Sequence, residues 1–233
     1  MIHEKRDSRA SPIETTDAFP RYELKYATFQ TDVASARAVL LSLPGAFRDE
    51  HPPRAVHSVY YDTRDLSTYE DHLQGLGRRA KFRLRWYGAL GESASIAWVK
   101  AGGRAQAEIK RRVGALIDKT VEPLDLRGNL PTRAPRNALT MIDEMVATAI
   151  VSYERYYLVS ARGVRATLDV GMSSARVHPS PGDEVLVIPP QRPVGETVLL
   201  ELKLTPSLLA DAEATGSASG WWRVKHSKYV NSV

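Results

Sequence analysis

The chain has no cysteine among its 233 residues, which excludes disulfides, zinc–thiolate centres and thiol nucleophiles. It has no run near the ~18 apolar residues that a membrane-spanning helix needs. Its opening residues, Met1-Ile-His-Glu-Lys-Arg-Asp-Ser-Arg9, lack the apolar stretch of a secretory signal. The expectation is a cytoplasmic protein whose membrane role, if it has one, comes through a partner. Familiar phosphate-binding signatures are missing too, both G-x-x-x-x-G-K-[ST] and G-x-G-x-x-G followed by an acid. Gly216-Ser-Ala-Ser-Gly220 has Ala218 where a nucleophile elbow needs its serine. His51, His57 and His72 do not have metal-ligand spacing, and His226 sits in a basic tail.

Charge is what the chain does have, and its placement says more than its sum. Lys and Arg number 32 against 27 Asp and Glu, a net charge of +5. In Lys81-Phe-Arg-Leu-Arg-Trp-Tyr87, alternation puts Lys81, Arg83, Arg85 and Tyr87 on one face of a strand. Phe82, Leu84 and Trp86 take the other face. The pattern recurs at Arg21–Lys25, Glu108–Arg112, Arg165–Asp169 and Leu199–Lys203. One such strand is an ordinary solvated face; five suggest a shared charged surface that a curled sheet would turn toward one ligand.

Residues 1–19 read as a flexible lead-in, followed by one domain over 20–233. Helices are expected at 32–43, 66–73, 136–148 and 207–214, from three- and four-residue apolar spacing. Strands are expected at 21–29, 56–62, from Lys81, 95–100, 107–113, 151–159, 164–170 and 198–204. The segment Ala101-Gly-Gly-Arg104 is read as a hairpin loop, 114–135 as irregular, and 216–220 as flexible. The fold class is α+β, an antiparallel sheet curled toward a barrel. Its apolar residues would pack outward under flanking helices and its basic residues would face a wet lumen, inverting the usual small barrel.

Such a lumen suits a polyanion, because guanidinium forks and ammonium groups grip phosphate oxygens. Glu23, Glu108 and Glu201 each stand two residues from a lysine, and a carboxylate beside bound phosphates commonly holds Mg²⁺ or Mn²⁺. Singly, each Glu-x-Lys is more often an exposed pair worth well under ~1 kcal/mol. Trp86, Tyr153 and Tyr156 read as packing residues.

Eight segments then occur in a telling order: Arg21-Tyr-Glu-Leu-Lys-Tyr26, Ser58-Val-Tyr-Tyr-Asp62, Lys81–Gly88, Glu108-Ile-Lys110, Ser152-Tyr-Glu-Arg155, Arg165–Asp169, Leu200-Glu-Leu-Lys203 and Ser227-Lys-Tyr229. Together they resemble the VTC domain, the polyphosphate polymerase module of the triphosphate tunnel superfamily, in a free-standing bacterial form. The resemblance implies an antiparallel tunnel barrel that moves the γ-phosphate of ATP onto a growing polyphosphate chain, with Mn²⁺ or Mg²⁺. By position, Lys25, Arg83, Arg85, Lys100, Lys110, Arg155, Arg165 and Lys203 would form the phosphate-gripping wall, with Lys228 closing the far end. Lys25, Arg83, Arg85 and Lys203 would be the catalytic set and Glu201 the metal ligand. No nucleic-acid partner is expected. Where the eukaryotic pattern has a further arginine, this chain offers His72. A hydrolytic branch of the superfamily starts with Glu-x-Glu-x-Lys; Arg21 in the first acidic place favours the polymerase over a triphosphatase. A third reading is a non-catalytic polyphosphate binder.

Overall fold

The fold is taken from a computed structural model that describes residues 22–29, 32–100, 102–114, 116–125, 130–131, 133–134, 145–179, 185–187, 192–193 and 197–233. In chain order the elements are β1 (Tyr22–Phe29), α1 (Val33–Ser42), β2 (Arg48–Asp62), α2 (Ser67–Leu73), β3 (Arg78–Gly88) and α3 (Ala94–Lys100). They continue with β4 (Arg104–Val113), β5 (Leu116–Asp125), β6 (Val146–Val159), β7 (Arg165–Pro179), β8 (Val185–Val187), β9 (Arg192–Pro193), β10 (Thr197–Leu204), α4 (Leu209–Ala218) and β11 (Trp222–Arg223).

One antiparallel sheet carries the molecule, in the order β11-β1-β10-β7-β6-β2-β3-β4-β5, with β8 and β9 pairing onto β7. Its hydrogen-bonded ladder is open at β5 and β11 among the described residues. It nevertheless curls far enough for Lys110 on β4 to bond Glu23 on β1, although those strands lie near opposite ends of the order. The expected tunnel fold is therefore present. Two interruptions bend the long strands. Pro52 and Pro53 cannot donate to the ladder, and the β2–β6 register shifts on either side of His51. Gly171 has φ +59° where the β6–β7 register shifts after Ser152, a conformation that costs glycine little.

The two faces divide as alternation requires. Phe82, Leu84 and Trp86 are buried with Ala94, Ala97 and Trp98 of α3. Leu200, Leu202 and Leu204 are buried with Ala36 and Leu40 of α1 and Ala212 of α4. The outward apolar faces are thus covered by helices, as expected. Asp32 caps α1 by accepting a hydrogen bond from the Ser35 backbone N–H at 2.9 Å. No described helix is long and apolar enough to cross a membrane.

Several expectations need correction. Residues 95–100 form helix α3, not a strand, because Ala94, Ala97 and Trp98 fall at the helical spacing that covers Trp86. Gly102 and Gly103 therefore lie between that helix and β4, not in a hairpin between two strands, and Ala101 lies outside the described residues. Residues 116–125, read as irregular, form β5, an edge strand that tolerates Pro123. Of the helix expected at 136–148, residues 146–148 belong to β6, and 136–144 lie outside the described residues. Gly216 to Ala218 continue α4 instead of forming a flexible link. The lead-in at 1–19 and Arg21 lie outside the described residues.

Candidate functional site

The concave face of the sheet collects the charged residues strand by strand. From β3, Arg83 donates to Glu108 Oε2 at 2.7 Å and to the Tyr60 hydroxyl at 3.1 Å. Arg85 donates to Ser58 at 3.3 Å and to the Tyr153 hydroxyl at 3.1 Å. Glu108, opposite Arg83 on β4, also faces Arg85 at 3.7 Å and Lys119 of β5 at 3.3 Å. From β6, Arg155 forks onto both oxygens of Asp169 on β7, at 2.6 and 2.8 Å. Lys228 reaches the same carboxylate at 2.6 Å. Glu201 on β10 lies opposite Lys25 on β1, with Lys25 at 3.7 Å and Lys203 at 3.5 Å. Lys110 holds Glu23 through both oxygens at 2.6 and 2.5 Å.

Burial makes these charges consequential. Arg85, Arg155 and Lys228 are 5%, 6% and 8% exposed, and Asp169 is fully buried. Burial opposes the ionisation of Asp169, yet Arg155 and Lys228 outweigh it and hold the carboxyl at about 2. Glu201 and Glu108 are likewise pulled well below the usual carboxylate range, Glu201 by its ring of lysines against its burial. Burial lowers Lys228 and Lys110 even with acidic partners beside them. Cations outnumber carboxylates on this face once the half-buried Lys25, Arg83, Lys110 and Lys203 are counted, and each extra cation held from water costs solvation that a bound anion would return.

The channel has two unlike ends. At one, Arg54, Arg85, Lys119, Arg155, Arg165 and Lys203 line an open recess, with Tyr87 and Tyr157. There the Arg54 guanidinium lies 4.4 Å from the Tyr87 ring centre and 5.0 Å from that of Tyr157. At the other end the C-terminal segment turns in. Tyr229 stacks on Tyr60 with ring centres 5.2 Å apart, and its hydroxyl donates to Asp62. Lys25 donates to the His226 carbonyl at 2.9 Å. Tyr60, Tyr153, Met172, Leu199 and Tyr229 form an apolar cluster here, so this part of the lumen is packed and not wet throughout.

Of the residues singled out in the sequence, Lys25, Arg83, Arg85, Lys110, Arg155, Arg165, Lys203, Lys228 and Glu201 share this face. Lys100 does not. It ends α3 on the outer surface, largely exposed, and pairs with Glu92. The family resemblance is what places Lys100 in the wall, and the strand reading of 95–100 agrees with that placement. Sequence reasoning missed Asp169 as the anchor of Arg155 and Lys228. It missed Lys119 because its strand went unrecognised, and Arg54 because two prolines interrupt the alternation before it. Tyr153, taken as packing, is part of the wall: Arg155 and Lys228 lie over its ring at 5.2 and 4.8 Å.

Two carboxylates of this face have oxygens left for a metal. Glu23 and Asp169 spend both oxygens on hydrogen bonds of 2.5 to 2.8 Å from basic side chains, whereas Glu108 bonds Arg83 through Oε2 and leaves Oε1 buried without a hydrogen-bond partner among the described residues. Among the described residues Glu201 has the looser ion pairs above, so its oxygens and Glu108 Oε1 are the ones open to coordination. No cluster of three or more His, Asp or Glu side chains able to hold a metal occurs among the described residues. That donor set matches an ion held by one or two carboxylates and otherwise by substrate phosphates.

The profile of the VTC domain matches residues 20–233 of this chain. Among solved structures, a putative adenylate cyclase from Vibrio parahaemolyticus is similar, with TM-score 0.51 and 12% identity, over 92% of this chain and 98% of that one. PH1819 from Pyrococcus horikoshii gives TM-score 0.45 and 12% identity, over 89% of this chain and 94% of that one. A Hippeastrum protein described as a putative adenylyl cyclase with a dominant triphosphatase activity gives 0.45 and 11%, over 90% and 92%. No curated protein matches this chain in sequence.

Proposed function

The chain belongs to the VTC domain family, and from that premise we propose that it is a metal-dependent polyphosphate polymerase, transferring the γ-phosphate of ATP to the end of an inorganic polyphosphate chain. The observation that carries this reading is the surplus of cations on the concave face once the half-buried ones are counted with the buried, each arginine already oriented by a carboxylate or a phenol. Preorganised forks of this kind stabilise the charge that a transferring phosphoryl group spreads over its oxygens. Lys25, Arg83, Arg85 and Lys203 would grip the reacting phosphates. Lys110, Arg155, Arg165 and Lys228 would extend the wall. Arg155 and Lys228 would be held in place by Asp169. Glu201 would hold Mn²⁺ or Mg²⁺, which, when bound, neutralises charge on the phosphates. The attacking group would be the terminal phosphate oxygen of the polymer, so no side-chain nucleophile is required.

The test is ³¹P NMR of the protein incubated with ATP and Mn²⁺ and quenched with chelator, with Glu201→Gln alongside. The expected result is growth of internal phosphoanhydride signal together with ADP, lost in a folded Glu201→Gln. Orthophosphate in place of polymer would assign a triphosphatase on the same scaffold. An unchanged spectrum would overturn the enzymatic reading, and full activity in Glu201→Gln would overturn the metal assignment.

A further inference from the structure

Lys81 stands apart from the other cations of the channel. It lies on the concave face of β3, two residues before Arg83 and beside Lys110 in the β3–β4 register. Its ammonium donates to Ser227 Oγ at 2.6 Å, and Ser227 also accepts from the Val230 backbone N–H at 3.2 Å. The charges that act on it most are cationic: Lys25 from β1, Lys110 from β4, and Arg83 and Arg79 from its own strand. His72 of α2 feels both Lys81 and Asp62, whose carboxylate accepts from Tyr229, and Glu23 on this side is taken up by Lys110. Lys81 is not among the residues lining the open recess around Arg85. At two residues per ~6.6 Å of strand, it lies roughly 13 Å farther along the channel than Arg85, toward the C-terminal segment.

We propose that Lys81, positioned by Ser227, is a further binding residue for inorganic polyphosphate, taking a phosphate of the chain beyond the triphosphate-length site. This rests on the function proposed above and deepens it. A phosphate group supplies what Lys81 does not get from the neutral Ser227 hydroxyl: a negative charge that accepts from the ammonium, where Lys25, Lys110 and Arg83 already have carboxylates. Burial, and then these neighbours, lower the Lys81 ammonium to about 6, so near neutrality it is largely uncharged until an anion arrives. Binding of a long chain therefore takes up a proton. Its affinity falls as pH rises above about 6, since the ligand must then bring the proton in.

The experiment is titration calorimetry of wild type, Lys81→Met and Lys81→Arg with two probes, tripolyphosphate and long-chain polyphosphate, in two buffers of different ionisation enthalpy. Lys81→Met is expected to weaken the long chain about tenfold and tripolyphosphate far less, and to abolish proton uptake; Lys81→Arg is expected to keep the affinity. An unshifted or raised thermal midpoint for Lys81→Met shows that it folds. Equal loss for both probes, or loss for neither, overturns the inference. So does a wild type that binds tripolyphosphate but gains nothing from a longer chain, an outcome that leaves triphosphate chemistry intact. A wild type that binds neither probe overturns the polyphosphate reading itself, and this inference with it.

Discussion

Asp169 is the residue on which the basic wall depends most. Its carboxylate takes the full fork of Arg155 and the ammonium of Lys228 while fully buried. Removing one partner of such a group leaves the others charged and uncompensated, which typically costs about 3–5 kcal/mol. Asp169→Asn should lower stability to urea by an amount of that order. The pH dependence carries the sign of a depressed acid. The stabilisation is complete above the ordinary value of 3.8 and is lost as pH falls toward about 2, where the folded carboxyl takes its proton. Urea midpoints measured between pH 5 and pH 2 should therefore fall more steeply for wild type than for Asp169→Asn. Parallel slopes would mean that the pair adds nothing to acid stability. None of this was legible in the sequence, where Asp169 is one acid at the end of an alternating run; only the β6–β7 register puts Arg155 opposite it.

At the scale of elements, alternation was the reliable guide and its interruptions were the source of error. The faces of β3 and β10 were legible because one side is wholly apolar and the other charged, so the register could slip only by burying arginines. The segment at 95–100 mixes β-formers with a helical face, and the need to cover Trp86 decided it. Alternation pointed to Lys25, Arg83, Arg85, Lys110, Arg165 and Lys203, whereas Arg155 and Lys228 came from the family resemblance, and Lys119 was hidden with β5. Helix α4 hides a further constraint. Gly216 lies so close to β1 that a Cβ there would sit 2.0 Å from Tyr26 Cζ and 2.2 Å from its hydroxyl. In an exposed helix Gly→Ala stabilises by about 1 kcal/mol. Here Gly216→Ala should destabilise by about 1–3 kcal/mol through overpacking. Tyr26→Ala is itself destabilising because Tyr26 is buried in the core, but in that background Gly216→Ala should cost far less than in wild type, since the space it needs is then empty. Chemical denaturation of the single and double variants checks both costs, and a Gly216→Ala more stable than wild type would show that α4 stands farther from the sheet.

At the scale of the whole molecule, the chain's net charge of +5 understates how its charge acts. The outer surface mixes both signs, as in the Arg37–Asp49, Lys100–Glu92 and Arg162–Asp211 pairs, whereas the concave face concentrates cations at low exposure. A fold arranged this way is stable without ligand only because Glu23, Glu108, Asp169 and Glu201 neutralise part of the wall. It should gain further stability from any anion able to complete the neutralisation. A ligand that binds only the folded state at a hundred times its Kd contributes about 2.7 kcal/mol. For a chain of this size that corresponds to a rise of roughly 5–10 °C in the thermal midpoint. Tripolyphosphate should produce such a shift, and sodium chloride of equal ionic strength should not, because screening acts on exposed charges more than on buried ones. Arg85→Met should lose most of the shift, since Arg85 lies in the recess and its guanidinium is oriented by Ser58 and Tyr153. Thermal melts of the two proteins with each salt are sufficient. If chloride and tripolyphosphate raised the midpoint alike, the concave face would be a diffuse positive field and not a built phosphate site.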